Sequence, residues 1–105
     1  MIVITGAIDI VSDGISAYVI RNGHPMMSSV TGTGCMLSAL TAAFEAENTE
    51  DPAGAAAAAV CAMGLAGETA FSRLSALDGN ASYRNYIIDA VYNMTPEQLE
   101  EKAKY

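Results

Sequence analysis

The residues best suited to chemistry lie in one short run, Val30-Thr31-Gly32-Thr33-Gly34-Cys35, followed at once by Met36-Leu37-Ser38-Ala39-Leu40. Two glycines frame a threonine, and a helical pattern of small and apolar residues begins directly behind them. Such a turn directs the unpaired N–H groups of a helix N-terminus outward, at the positive end of the helix dipole. It is a ready cradle for an anion such as phosphate. Cys35 is the unusual component, because the same dipole favours the thiolate of a cysteine at a helix entry. An anion cradle and a proton-accepting side chain would then share one turn. The alternative is that Gly32 and Gly34 only let the chain enter the helix, while Cys35 packs in the core as a small apolar side chain. The run is neither a Walker loop, which needs Gly-Lys-Ser/Thr, nor a dinucleotide fingerprint, which needs a third glycine.

Thr5-Gly6 with Asp9 is a second candidate. The pair closes a strand, the glycine lets the backbone approach a ligand, and the Thr5 hydroxyl can donate to a phosphate oxygen. An ordinary strand-to-turn transition has the same pattern. His24 has no metal-ligand partner at useful spacing and no Ser or Cys to pair with, so it reads as a packing or surface histidine. Asp9, Asp13, Glu45 and Glu47 are too scattered for a metal cluster. Glu97, Glu100 and Glu101 form a solvated helix face.

Strand-like segments come first along the chain. Ile2 to Ile4 predicts a short buried strand, Ala7 to Ser12 a second and Ala17 to Ile20 a third, with Asp13-Gly14 and Asn22-Gly23 as turn signals. His24 to Val30 is a further extended candidate. The rest is helical. One helix is expected from Gly34 to Glu47, with Met36, Leu40, Ala43 and Phe44 on one face. A second is expected from Pro52 to Leu77, capped by Thr49 or Asp51. Its alanines and glycines permit close approach of neighbours and predict a central, buried helix. A third runs from Ser82 to Tyr92, and Thr95-Pro96-Glu97-Gln98 opens a short fourth. Strands followed by helices indicate either α+β or one edge of a larger α/β sheet.

The 105 residues are enough for one modest domain. At 51% hydrophobic and 16% charged, the chain has ample apolar surface to bury. Twelve acidic against five basic residues give a net charge of −7, which argues against nucleic-acid and anionic-membrane surfaces. The two cysteines make no secreted disulfide framework, and a reduced, cytoplasmic setting fits them better. A strand at the very start of the chain suggests the later part of a longer protein, so residues 1–105 are expected to be a single partial domain.

Taken in order, Ile4-Thr5-Gly6-x-x-Asp9, Asp13-Gly14, Asn22-Gly23-His24-Pro25, Val30 to Ala39 and Ala42-Ala43-Phe44 closely resemble the C-terminal part of hydroxyethylthiazole kinase, a ribokinase-like family. Gly79 to Tyr83 and Asp89 to Tyr92 extend the resemblance over essentially the whole chain. The most specific element is Thr-Gly-x-Gly-Cys, because most ribokinase-like relatives have aspartate where this chain has Cys35. The resemblance implies an α/β fold in which a short β-meander precedes three to four helices. It implies transfer of phosphate from ATP to the hydroxyl of 4-methyl-5-(2-hydroxyethyl)thiazole in thiamine salvage, with magnesium bridging phosphate oxygens, in a trimer with pockets at subunit boundaries. Thr5 would contact ATP, Gly32 the thiazole, and the amides of Gly32, Thr33, Gly34 and Cys35 would form an anion hole, with Cys35 in the place of the catalytic base. The metal ligands are not implied. Ala7 stands where an acidic residue is expected, and Asn80-Ala81 where Pro-Gly is common. The rival expectations are an inactive folding or oligomerisation module, and a related kinase of another small alcohol.

Overall fold

The computed structural model describes residues 1–104. Its strands are β1 (Ile2–Ile4), β2 (Asp9–Ser12) and β3 (Ala17–Ile20). They form an antiparallel sheet in the order β1-β2-β3, with Ile4 opposite Ile10 and Val11 opposite Tyr18. This is the expected meander. Its β2–β3 turn is closed by Asp13, whose Oδ1 accepts from the N–H groups of Ile15 and Ser16 at 2.9 and 2.7 Å. Those two bonds hold the Asp13 carboxyl below its ordinary pKa. The left-handed position within the turn falls on Gly14.

Four helices follow: α1 (Thr33–Glu47), α2 (Pro52–Arg73), α3 (Asn80–Asn93) and α4 (Pro96–Lys102). Asp51 caps α2 through the N–H of Gly54, and Pro52 occupies its first turn. Thr95 and Gln98 form a reciprocal capping box on α4. The expected central helix is α2, with buried residues from Ala53 to Ala70. On one side Val60, Cys61, Ala56 and Ala57 pack against Val11 and Ile20 of the sheet, joined by Leu99 of α4. On the other side Met63, Ala66 and Ala70 pack against Val30, Tyr83 and Ile87. Leu37 of α1 touches both clusters. By length and hydropathy alone α2 could cross a membrane, but most of it is buried inside the protein, as a core helix must be.

Three elements differ from expectation. Residues 24–30 are not extended: Pro25–Ser29 is a 3₁₀ turn, because the His24 ring caps it and Pro25 presets its first residue. The second helix stops at Arg73 rather than Leu77. There the Asp78 carboxylate accepts from the Ser75 N–H at 2.9 Å, offering the backbone a turn in place of further helix. Finally, β1 is not buried: Ile2 and Ile4 are 64% and 56% exposed, and Ile8 and Ile10 are exposed too. The helices cover one face of the sheet and leave these side chains without a layer against them.

Candidate functional site

An open cleft of about 610 Å³ lies where the β1–β2 loop, the segment after β3, the N-terminus of α1 and the middle of α2 meet. Thr5, Gly6, Ala7 and Asp9 form one wall, Thr33 and Gly34 another, and Val60, Met63 and Gly64 line it from α2. The two motifs singled out in the sequence, far apart along the chain, therefore face one space.

The α1 wall is the N-terminus of that helix. Gly32 is the N-cap residue at φ +98°, a left-handed conformation that favours glycine. The first helical bond runs from the Met36 N–H to the Gly32 carbonyl at 3.0 Å, so the preceding amides lie ahead of the helical ladder. Among the described residues no side-chain hydrogen bond caps this end. Thr33 and Gly34 line the cleft, while Gly32 and Cys35 flank it along the chain. Cys35 is exposed, which excludes the alternative that it packs in the core. The packed thiol is that of Cys61, pushed up to about 11 by burial and, secondarily, by the charge of Asp9.

On the opposite wall Thr5 and Gly6 leave β1 as expected. The Gly6 N–H donates to Asp9 Oδ1 at 2.9 Å, which fixes the loop. Burial raises the Asp9 pKa, and the Gly6 bond opposes this without reversing it. His24 belongs to packing: Nδ1 accepts from the Met26 N–H at 3.1 Å, and the ring stacks on Phe71 at 3.7 Å. Among the described residues no three of His, Cys, Asp and Glu converge as a metal site. Among the described residues, Asp9 is the only carboxylate on the cleft wall.

Asn22 was marked by the sequence only as half of an Asn-Gly turn signal, with no hint of its packing role. It is 4% exposed and is the buried polar residue of the cleft rim. Its Nδ2 donates to Glu68 Oε2 at 2.8 Å and to the Lys102 carbonyl at 3.0 Å, and its Oδ1 accepts from the Lys104 N–H at 2.6 Å. Partners 46 to 82 residues away leave no local signal.

Proteins that share this arrangement are kinases by name. The hydroxyethylthiazole kinase family matches residues 1–97, and the chain belongs to that family. A hydroxyethylthiazole kinase of Clostridium acetobutylicum is 57% identical over all 105 residues, which span 38% of that protein. One from Desulforudis audaxviator is 46% identical over 102 residues, covering 97% of this chain and 36% of its own length. Among solved structures, a hydroxyethylthiazole kinase protein from Pyrococcus horikoshii OT3 superposes with a TM-score of 0.86 at 35% identity, over 97% of this chain and 38% of that one. The match falls in the C-terminal part of these relatives, and the chain spans well under half of their length.

Proposed function

We propose that this chain carries the phosphate-cradling part of a kinase that transfers the terminal phosphoryl group of ATP to the hydroxyethyl group of 4-methyl-5-(2-hydroxyethyl)thiazole, a cytoplasmic salvage step towards thiamine. The supporting observation is that Thr5 and the uncapped N-terminus of α1 line one cleft. Phosphoryl transfer depends on in-line positioning and on stabilising charge more than on covalent help. The amides of Gly32, Thr33, Gly34 and Cys35 would supply the charge stabilisation. Thr5 would hold ATP, Gly32 would lie against the thiazole, and the exposed Cys35 sulfur would orient or accept the hydroxyl proton. Because the transition state is loose, base assistance counts for less, which suits a cysteine where relatives in the superfamily use aspartate.

Magnesium, which such a reaction uses, would neutralise phosphate oxygens. Among the described residues nothing fits a metal cage: Asp9 is the one cleft carboxylate, and Ala7 also lines that wall. The chain forms a single partial domain, completed in the family by further elements and by a trimer with pockets at its boundaries. On its own it is expected to show weak or no turnover. The test is the melting temperature of the 105-residue chain against rising ATP: a nucleotide site raises it by mass action, and no rise at millimolar ATP would count against the reading. ADP release at ordinary enzyme rates would refute the expectation of weak turnover.

A second reading, an inactive folding or oligomerisation module, draws on the exposed apolar face at Ile2, Ile4, Ile8 and Ile10. Unchanged melting with ATP, together with a concentration-dependent oligomer, would favour it.

A further inference from the structure

The rim of the cleft is held from outside the sheet. Pairing of β2 with β3 ends at Asp9 and Ile20, and the rim residues Asn22, Gly23, His24 and Pro25 lie beyond that ladder. The segment behind α4 takes over. The Arg21 N–H donates to the Lys104 carbonyl at 2.7 Å. The buried Asn22 amide bridges the same segment, donating to the Lys102 carbonyl and accepting from the Lys104 N–H.

Glu68 of α2 closes the arrangement. Its carboxylate accepts from Asn22 Nδ2 at 2.8 Å, from the Gly23 N–H and from Lys104 Nζ. Three donors, two from the rim and one from the tail, thus converge on one side chain, and both rim residues line the cleft. Less than one turn further along the same face of α2, Phe71 stacks on the His24 ring at 3.7 Å. A carboxylate beside this rim repels an anionic ligand in a chain of net charge −7, so any help it gives to binding is geometric.

We infer that Glu68 is a positioning residue of the cleft: with Asn22 and residues 102–104 it latches the rim in the place a ligand needs. That the ligand is a nucleotide rests on the kinase reading; the latch itself does not.

His24 is the sole histidine of the chain, and its ring-proton NMR signals, shifted by the stacked Phe71 ring, report where the rim sits. The test compares the 105-residue chain with Glu68→Ala, Glu68→Gln and Lys104→Pro by those signals and by calorimetric ATP binding, well below each melting temperature. Lys104→Pro deletes the donor N–H and Nζ together, and Ala103 before it already has the extended backbone a proline requires. In Glu68→Ala the His24 signals should move towards unstacked values while Cys61 stays shielded from thiol reagents, which separates a displaced rim from an unfolded core. ATP should bind about 3-fold or more weakly, although loss of a negative charge by itself strengthens anion binding. Lys104→Pro should act in the same direction. Glu68→Gln keeps an acceptor oxygen and should recover part of both effects. Unmoved His24 signals in Glu68→Ala would overturn the latch, and unmoved signals in Lys104→Pro would remove the tail from it. Moved signals with ATP affinity equal to that of the parent chain, or higher, would overturn the positioning role. A parent chain that binds no ATP would count against the nucleotide reading, and the His24 signals would then decide the latch alone.

Discussion

Gly64 of α2 lies against the backbone of Asn22 so closely that a methyl group on it would sit 2.7 Å from the Asn22 carbonyl oxygen. Both residues line the cleft, so backbone contact sets the distance between its rim and its α2 wall. Gly64→Ala must push these elements apart, at about 1–3 kcal/mol as for other overpacked sites. A control is Gly79→Ala, where a Cβ meets nothing within 4 Å. Urea unfolding of both variants should show a clear loss for the first and near-neutrality for the second.

Asn22 ties the segment after α4 back to the cleft rim, and Glu68 joins it through hydrogen bonds from Asn22 and Lys104. Asn22→Ala leaves the Lys104 N–H and the Lys102 carbonyl without this partner, and should destabilise the chain by about 1–3 kcal/mol. Partial burial alone would raise the Glu68 pKa, but those hydrogen bonds and the Lys104 charge outweigh it, so the folded value lies below the ordinary 4.5. The stability Glu68 contributes is therefore present above pH 4.5 and fades as pH falls through its lower folded value. Glu68→Gln should be less stable than the parent at pH 7, with the gap closing in acid melts.

Asp9 has the opposite sign. Its folded pKa is raised from 3.8 by burial, so the ionised form is disfavoured in the folded chain above that pKa, and the penalty disappears as pH falls below its ordinary value. Asp9→Asn keeps an oxygen for the Gly6 N–H and removes the buried charge. It should raise the melting temperature modestly at pH 7 and not at pH 3. A fall at pH 7 would contradict this account.

The two thiols should differ in reactivity. Cys35 is exposed, whereas Cys61 is buried with its pKa at about 11. Titration of the folded chain with an aromatic disulfide at pH 8 should label one thiol quickly, with Cys61 reacting only on unfolding. Cys35→Ser should abolish the fast phase, and two fast thiols would contradict the burial of Cys61.

Where chemistry was written locally, the sequence was legible. Asp13-Gly14 makes its turn, Asp51 and Thr95 cap their helices, and the small-residue run 52–67 lies in the core. The motifs at Thr5-Gly6 and Thr33-Gly34 meet in one cleft, an outcome that local patterns permit but do not dictate. The 3₁₀ turn at Pro25–Ser29 was missed because the expected extended segment 24–30 took no account of Pro25 or of the His24 cap. The exposure of β1 was hidden because an apolar triplet looks the same whether or not a layer covers it. The packing role of Asn22, which the sequence marks only as a turn signal, was invisible because its partners lie far along the chain.

A central helix made mostly of alanine and glycine has almost no side-chain volume to surrender. Enlarging Gly67 would drive a new carbon into the Met27 sulfur, and Met27 itself lines the cleft. A larger residue at this seam meets only the flexible thioether of Met27 among its nearest neighbours, and a thioether can re-route without moving the main chain. The back of the cavity is thus bounded by one rigid contact, Gly64 on the Asn22 backbone, and one yielding contact, Gly67 on the Met27 side chain.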